Sequence, residues 1–273
     1  MLTSPQAPVV LITGAAKRIG AAIAQLFHDE GYKVIIHYRH SFEEATQLCK
    51  HLNMLRADSA RILQADLNDT AAVQLLASDA LACFGGIDVL INNASSFYAT
   101  PLPAVTDQDW DDLINSNVKA AFFLSQALAD SLQERGGSII NIIDVYADSG
   151  LRGYPVYSIA KAGLKMLTRT LARELAPAVR VNGVSPGAIL WPEHTVGSAD
   201  EAEHLPEPSQ KPLQKPLQKP SLELSLKQQR ILDSIPLGHL GAAADISQTV
   251  WFLAHAGYIT GQIIKVDGGR SVG

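Results

Sequence analysis

Short apolar, β-branched runs recur along the chain and alternate with longer segments whose apolar residues return every three to four positions. Residues 9–13, 33–38, 61–66, 88–94, 137–144, 179–184 and 262–266 read as seven strands. The intervening spacing predicts helices over 21–31, from about 41, over 69–84, 107–134, 154–175, 222–235 and 242–255, with Asp107 expected as an N-cap. Strands that are apolar throughout, each followed by a helix, belong to a parallel sheet covered on both faces. The expected architecture is therefore α/β, a doubly wound parallel seven-stranded sheet in a single domain over residues 1–273. The pattern breaks after Gly187. Residues 193–221 are polar and proline-rich, and 210–220 repeat the unit Gln-Lys-Pro-Leu. Such a stretch can neither complete its backbone hydrogen bonds nor bury a core, so a disordered surface insertion is expected at about 194–221.

Composition narrows the class of partner. The chain is 47% apolar with a formal charge of -5 and no basic block, which fits a globular protein and argues against nucleic acid or an anionic membrane. The two cysteines, Cys49 and Cys83, offer no disulfide framework and no metal-ligand spacing. The start of the chain lacks the pattern of a signal peptide, and no apolar run approaches a membrane span. A soluble, cytoplasmic protein with a small-molecule substrate and no bound metal is expected.

The chemistry concentrates where the strands end. Thr13 to Gly20 reads T-G-x-x-x-R-x-G between the first strand and its helix. Gly14 and Gly20 would let the backbone approach a pyrophosphate, and the helix start, with Lys17, Arg18 and Ile19, supplies amides and positive charge. Arg18 stands where dinucleotide-binding turns usually carry another glycine. The second strand ends in His37-Tyr38-Arg39-His40-Ser41, without the carboxylate that grips a ribose diol, so NADPH is expected over NAD. Asp66, followed by Leu67, either meets the adenine or caps the next helix. Asn92-Asn93-Ala94 closes the fourth strand, and Ser95, Ser96, Phe97 and Tyr98 follow at once. Phe97 suits a flat ring stacked opposite the nicotinamide, or else packs into the core. Tyr157 and Lys161 lie four residues apart on one helix face, so the ammonium would favour the phenolate.

The glycine turn, the NNA triplet, Asn117 in NVKA and the Tyr157-x-x-x-Lys161 pair together resemble the short-chain dehydrogenase/reductase family across essentially the whole chain. That resemblance implies a Rossmann-like fold and a homotetramer. It also implies Tyr157 as proton donor, Lys161 as the residue that binds the nicotinamide ribose and lowers the phenol's pKa, and Asn117 as holder of a relay water. Pro186 and Gly187 would form the turn below the nicotinamide. One residue departs from the family pattern: Asp144 stands where the family keeps a serine. With Arg18, H-Y-R-H-S and NNASSFY, that departure is similar to the pteridine reductases. By that likeness Phe97 sandwiches a pterin, Ser95 contacts cofactor phosphate and substrate, and Asp144, which must be protonated in the cycle, shares proton delivery with Tyr157. The expected reaction is NADPH-dependent reduction of dihydropterins, with oxidised pterin or dihydrofolate as further substrates. A carbonyl reductase of the same family is the alternative, and an NADPH-binding protein without catalysis is a further one.

Overall fold

The computed structural model describes residues 7–190 and 226–272, so the proline-rich stretch falls outside the described residues, as does the start of the helix expected at 222. In chain order the strands are β1 (Val9–Ile12), β2 (Lys33–Tyr38), β3 (Ala60–Gln64), β4 (Val89–Asn92), β5 (Ser138–Ile142), β6 (Arg180–Pro186), β7 (Ile189–Leu190), β8 (Gly241–Ala242) and β9 (Ile263–Val266). Seven of them form one parallel sheet in the order β3-β2-β1-β4-β5-β6-β9, while β7 and β8 pair separately. The order reverses between β1 and β4, and a crevice opens beyond their carboxyl ends at such a switch point.

Alternation along the strands divides the core in two. Val10, Ile12, Val34 and Ile36 face one cluster, filled from the helices by Ile23, Phe27, Leu52 and Leu253. Val9, Leu11 and Ile35 face the other, with Leu76, Ala80, Leu124 and Leu132. Each fully buried Leu, Ile or Phe contributes roughly 1.5–3 kcal/mol, which fixes both sheet faces and leaves the strand ends free for chemistry. The first cluster is covered by α1 (Arg18–Asp29), α2 (Phe42–Leu55) and α10 (Ala243–His255), the second by α3 (Thr70–Phe84), α5 (Ala120–Ala127) and α6 (Ala129–Glu134). A buried polar chain crosses beneath the site. Asn92 Nδ2 donates to Asn141 Oδ1 at 2.8 Å, and Asn141 Nδ2 donates to Thr168 Oγ1 at 2.9 Å, tying β4 and β5 to α8 (Pro155–Glu174).

The segment 107–134, expected as one helix, is broken. It comprises α4 (Asp107–Ile114), a five-residue π-turn at Asn115–Lys119, then α5 and α6. The N-cap is Thr106 instead of Asp107. Thr106 Oγ1 accepts from the Asp109 amide at 3.1 Å while Asp109 Oδ2 accepts from the Thr106 amide at 3.0 Å. This reciprocal box satisfies two helix-end donors and leaves Asp107 in the first turn, where its charge suits the helix dipole. No helix among the described residues is long and apolar enough to cross a membrane.

Candidate active site

The switch point opens into a cleft of about 480 Å³. Its wall includes Gly14, Lys17, Arg18, Ile19, Gly20, His37, Arg39, Asp66, Leu67, Asn93, Ala94, Ser95, Phe97, Asp144, Tyr157, Lys161, Pro186 and Gly187, all expected at the site. Tyr38, His40, Ser41 and Asn117 were expected there and do not line it. Ser96, named beside Ser95 but given no role, also lines it, as do Ser116, Ile142, Ile143 and Ile189, which were not singled out. The two isoleucines directly precede Asp144 at the end of β5 and Ile189 follows the Pro186-Gly187 turn, so strand-end position was the available signal.

The glycine turn is packed to its limit. A Cβ on Gly20 would stand 2.4 Å from the Gly14 carbonyl oxygen, and one on Gly14 would stand 2.9 Å from Ala94 Cα. Gly14 takes a φ of +61°, the left-handed region that glycine enters without steric cost. Thr13 and Asn93 clasp the turn to β4. Thr13 Oγ1 accepts from the Asn93 and Ala94 amides at 2.9 and 3.0 Å, and Asn93 Nδ2 donates to the Thr13 and Gly14 carbonyls. Helix α1 then begins with Lys17 as its N-cap residue, which makes no side-chain cap bond.

Arg18 also adopts a left-handed φ, +57°. A non-glycine residue there costs roughly 1–2 kcal/mol. Arg18→Gly is expected to raise stability by a net ~0.5–1 kcal/mol, after the extra chain entropy of glycine is subtracted, while weakening NADPH binding. Thermal melts and a cofactor titration on the same variant check both halves. Unchanged NADPH affinity would remove the guanidinium from the cofactor site.

The two faces of β2 sort the His37–Ser41 stretch. Tyr38 is buried with Val34 and Ile36 and packs on Phe42 at 6.0 Å between ring centroids, so its side chain belongs to the core. His37, 2% exposed, is hydrogen-bonded on both ring nitrogens. Burial lowers its pKa to about 4, so it stands as neutral imidazole. Arg39 reaches the cleft and pairs with Asp66 at 3.7 Å, and Lys17 pairs with Glu44 at 2.5 Å. Asp66 does not cap α3. Its Oδ1 accepts from the Asn68 amide, and the cap is Asp69, whose side chain accepts from Ala71 N at 2.8 Å.

Opposite the glycine turn, the end of β5 and the start of α8 bring three titratable groups together. Asp144 Oδ2 accepts from the Tyr157 hydroxyl at 2.8 Å, and Oδ1 accepts from the Tyr146 amide at 2.8 Å. Both carboxylate oxygens are thereby oriented. Burial, and then the charge and hydrogen bond of Asp144, raise the Tyr157 pKa well above the ordinary phenol range, with Ser95 acting in the opposite direction. The net shift is upward, opposite to the lowering expected from Lys161. Lys161 Nζ lies 5.7 Å from the Tyr157 ring centroid and donates to the Ile142 carbonyl at 3.1 Å. It is 2% exposed, and burial lowers its pKa to about 8, Asp144 partly opposing. Asn117, 1% exposed, sits behind the wall at the π-turn. Its Nδ2 donates to the Leu113 and Ser96 carbonyls at 3.0 Å each, and its Oδ1 accepts from Ser95 Oγ at 2.7 Å. The side chain thus holds the Ser95–Ser96 segment in place. Phe97, half exposed, stacks on Tyr154 at 4.7 Å and meets Tyr157 edge-on at 4.8 Å.

A parallel sheet with a clasped glycine turn at its switch point, facing a Tyr-Lys pair on one helix, defines an oxidoreductase of the dinucleotide-binding α/β class. The model of the short chain dehydrogenase family matches residues 8–201, and the chain belongs to that family. Pteridine reductase 1 of Leishmania tarentolae is 37% identical, over 100% of this chain and 99% of that one. A 3-oxoacyl-acyl-carrier-protein reductase of Staphylococcus aureus is 36% identical, over 95% and 96% respectively. Among solved structures, a blue fluorescent protein from a metagenomic library, in complex with NADPH, superposes with a TM-score of 0.81 at 31% identity, covering 98% of this chain and 99% of its own.

Proposed function

We propose that the chain is an NADPH-dependent pteridine reductase that takes dihydropterins to tetrahydropterins. The observation that carries this reading is the Asp144 carboxyl on the cleft wall, its Oδ2 2.8 Å from the Tyr157 hydroxyl.

The cleft suits the dinucleotide in three respects. The glycine turn leaves no space for a Cβ at Gly14 or Gly20, α1 opens without a side-chain cap, and Lys161 is a buried ammonium with one hydrogen bond for three donors. The turn and α1 would hold the pyrophosphate, Lys161 the ribose hydroxyls, and Arg39 with Lys17 the 2′-phosphate in competition with Asp66 and Glu44. When bound, NADPH supplies the hydride.

Reduction of a ring C=N bond also requires a proton at nitrogen, and an acid placed where that charge develops stabilises the transition state. Protonated Asp144 gives that proton to a dihydropterin and takes its next one from solvent, while the Tyr157 hydroxyl, which donates to Oδ2, holds the carboxyl in place. For an oxidised pterin Tyr157 is the donor. Phe97, braced by Tyr154, offers a planar apolar surface to a flat heterocycle. Asn117 acts through Ser95, holding the wall on which the ring rests.

Reduction of 3-oxoacyl thioesters is the second reading, favoured by the likeness to the S. aureus reductase. Asp144 counts against it, because a carboxylate beside a developing alkoxide is repulsive unless it is protonated. The deciding assay follows NADPH absorbance with dihydrobiopterin, dihydromonapterin, dihydrofolate and acetoacetyl-CoA side by side. Turnover of a dihydropterin in clear excess over the thioester is the expected outcome; the reverse order would transfer the chain to the carbonyl reductases.

A further inference from the structure

His37 interrupts the apolar run from Val34 to Tyr38 and serves neither as a surface cation nor as a proton carrier in the proposed chemistry. Its ring spans two elements. Nδ1 lies 3.1 Å from the Gly14 amide nitrogen, and Nε2 lies 3.2 Å from the Ala65 carbonyl oxygen just past β3. An amide can only donate and a carbonyl can only accept. Nδ1 is therefore the bare nitrogen and Nε2 carries the hydrogen, an assignment that a neutral imidazole satisfies and an imidazolium does not. The backbone of the same residue takes the next amide, with Ala15 N donating to the His37 carbonyl at 2.9 Å. Two successive amides of the turn are thus held inward by one residue, at the point where Gly14 has its left-handed φ and no space for a side chain.

We propose that His37 is a positioning residue for the dinucleotide: its neutral, Nε2-protonated ring pins the Gly14 amide toward β2 and thereby sets the course of the glycine turn that receives the pyrophosphate. The cause lies in the acceptor. Without Nδ1 the Gly14 amide loses its partner, and a turn freed from β2 reaches the bound geometry only by paying its ordering cost at each binding event. The low pKa of the ring agrees with this, since burial keeps it neutral at ordinary pH despite the opposing influences of the Ala65 carbonyl and the Asp66 charge. The proposal rests on the NADPH half of the functional reading and is independent of the pterin half.

Two conservative variants separate the nitrogens. In His37→Asn the amide oxygen can replace Nδ1 as acceptor for Gly14, whereas in His37→Gln the amide nitrogen can replace Nε2 as donor to Ala65. Calorimetric titration with NADPH, and with 2′-AMP as a probe that lacks the pyrophosphate, reads the difference. NADPH affinity is expected to fall about tenfold in His37→Gln and to stay within about threefold of wild type in His37→Asn, with 2′-AMP binding unchanged in both. Equal loss in both variants, no loss in either, or a parallel loss of 2′-AMP affinity overturns the proposal. If neither variant folds, nitrogen NMR of the wild-type ring decides, because a hydrogen found on Nδ1 at neutral pH excludes the assignment. A failed pterin assay leaves these titrations untouched, whereas a wild-type chain that binds no NADPH ends both the cofactor reading and this one.

Discussion

Replacing Asp144 with asparagine is expected to lower kcat for dihydropterin reduction by about 10²–10⁴-fold, the range a general acid supplies, with NADPH affinity close to wild type. Asparagine keeps the size of the side chain; its Oδ1 can still accept from the Tyr146 amide, and its Nδ2 can donate to the Tyr157 oxygen, so both contacts that orient the carboxyl persist with the second reversed. It cannot give up a proton to a ring nitrogen at neutral pH. The change therefore separates positioning from acidity, which alanine would not. It also removes the charge that, after burial, does most to hold the Tyr157 phenol high, so the phenol's pKa should move down in the variant. Steady-state kinetics with a dihydropterin, together with a fluorescence titration of NADPH, tests the pair of expectations. Undiminished turnover would show that the carboxyl is not the acid.

Lys161→Met is expected to trade function for stability. The ammonium is almost wholly buried and its pKa is lowered to about 8, so the fold prefers the neutral amine and carries a penalty wherever the group is charged. That penalty is complete below about pH 8 and fades as pH rises from there through 10.5, the ordinary lysine value. At pH 7 an apolar side chain of similar length should therefore raise the unfolding free energy by roughly 2–3 kcal/mol, and the advantage over wild type should shrink above pH 8. Loss of the charge-assisted hydrogen bonds to a ribose, worth roughly 1.5–3 kcal/mol, should meanwhile cut kcat/KM for NADPH by about 10- to 100-fold. In the wild type, kcat/KM for NADPH should decline as pH passes about 8 and the free enzyme loses its ammonium. Urea denaturation at pH 7 and pH 9.5, beside the pH profile, measures both sides. A methionine variant less stable than wild type at pH 7 would contradict the buried-charge account.

Much of the scaffold was legible because burial leaves a direct trace in composition. The runs 33–38 and 137–144 hold consecutive apolar residues, Val34 to Ile36 in one and Ile139-Ile140 and Ile142-Ile143 in the other, since both faces of β2 and β5 are covered, and the observed strands fall within or close to those bounds. The glycine turn was readable for a similar reason, since only glycine fits where a Cβ would strike a carbonyl oxygen 2.4 Å away. Side-chain direction was less accessible. Five residues from His37 to Ser41 look alike as a polar cluster, yet adjacent positions on a strand point to opposite faces, so Tyr38 went to the core and His37 to the turn. The choice between Asp66 and Asp69 as cap depended on where β3 ended, a matter of two or three residues that pattern alone does not resolve. Thr106 displaced Asp107 because the reciprocal bond needs an acid three residues on, at Asp109.

The break at Asn115–Lys119 left no trace in the spacing of apolar residues, yet it governs how the adjacent chain meets its surroundings. A π-turn holds one residue more than an α-turn, so everything on its amino side is rotated by about 100° relative to an unbroken helix. Leu113 and Ala121, about 80° out of phase in an unbroken helix, are thereby brought to within about 20° of one face, where Leu113 clusters with Val156 and Tyr157 and Ala121 with Leu164, all on α8. The bulge works as a phase corrector that joins two hydrophobic stripes into one. It lets a single rod-like segment lie along α8 on both sides of the break.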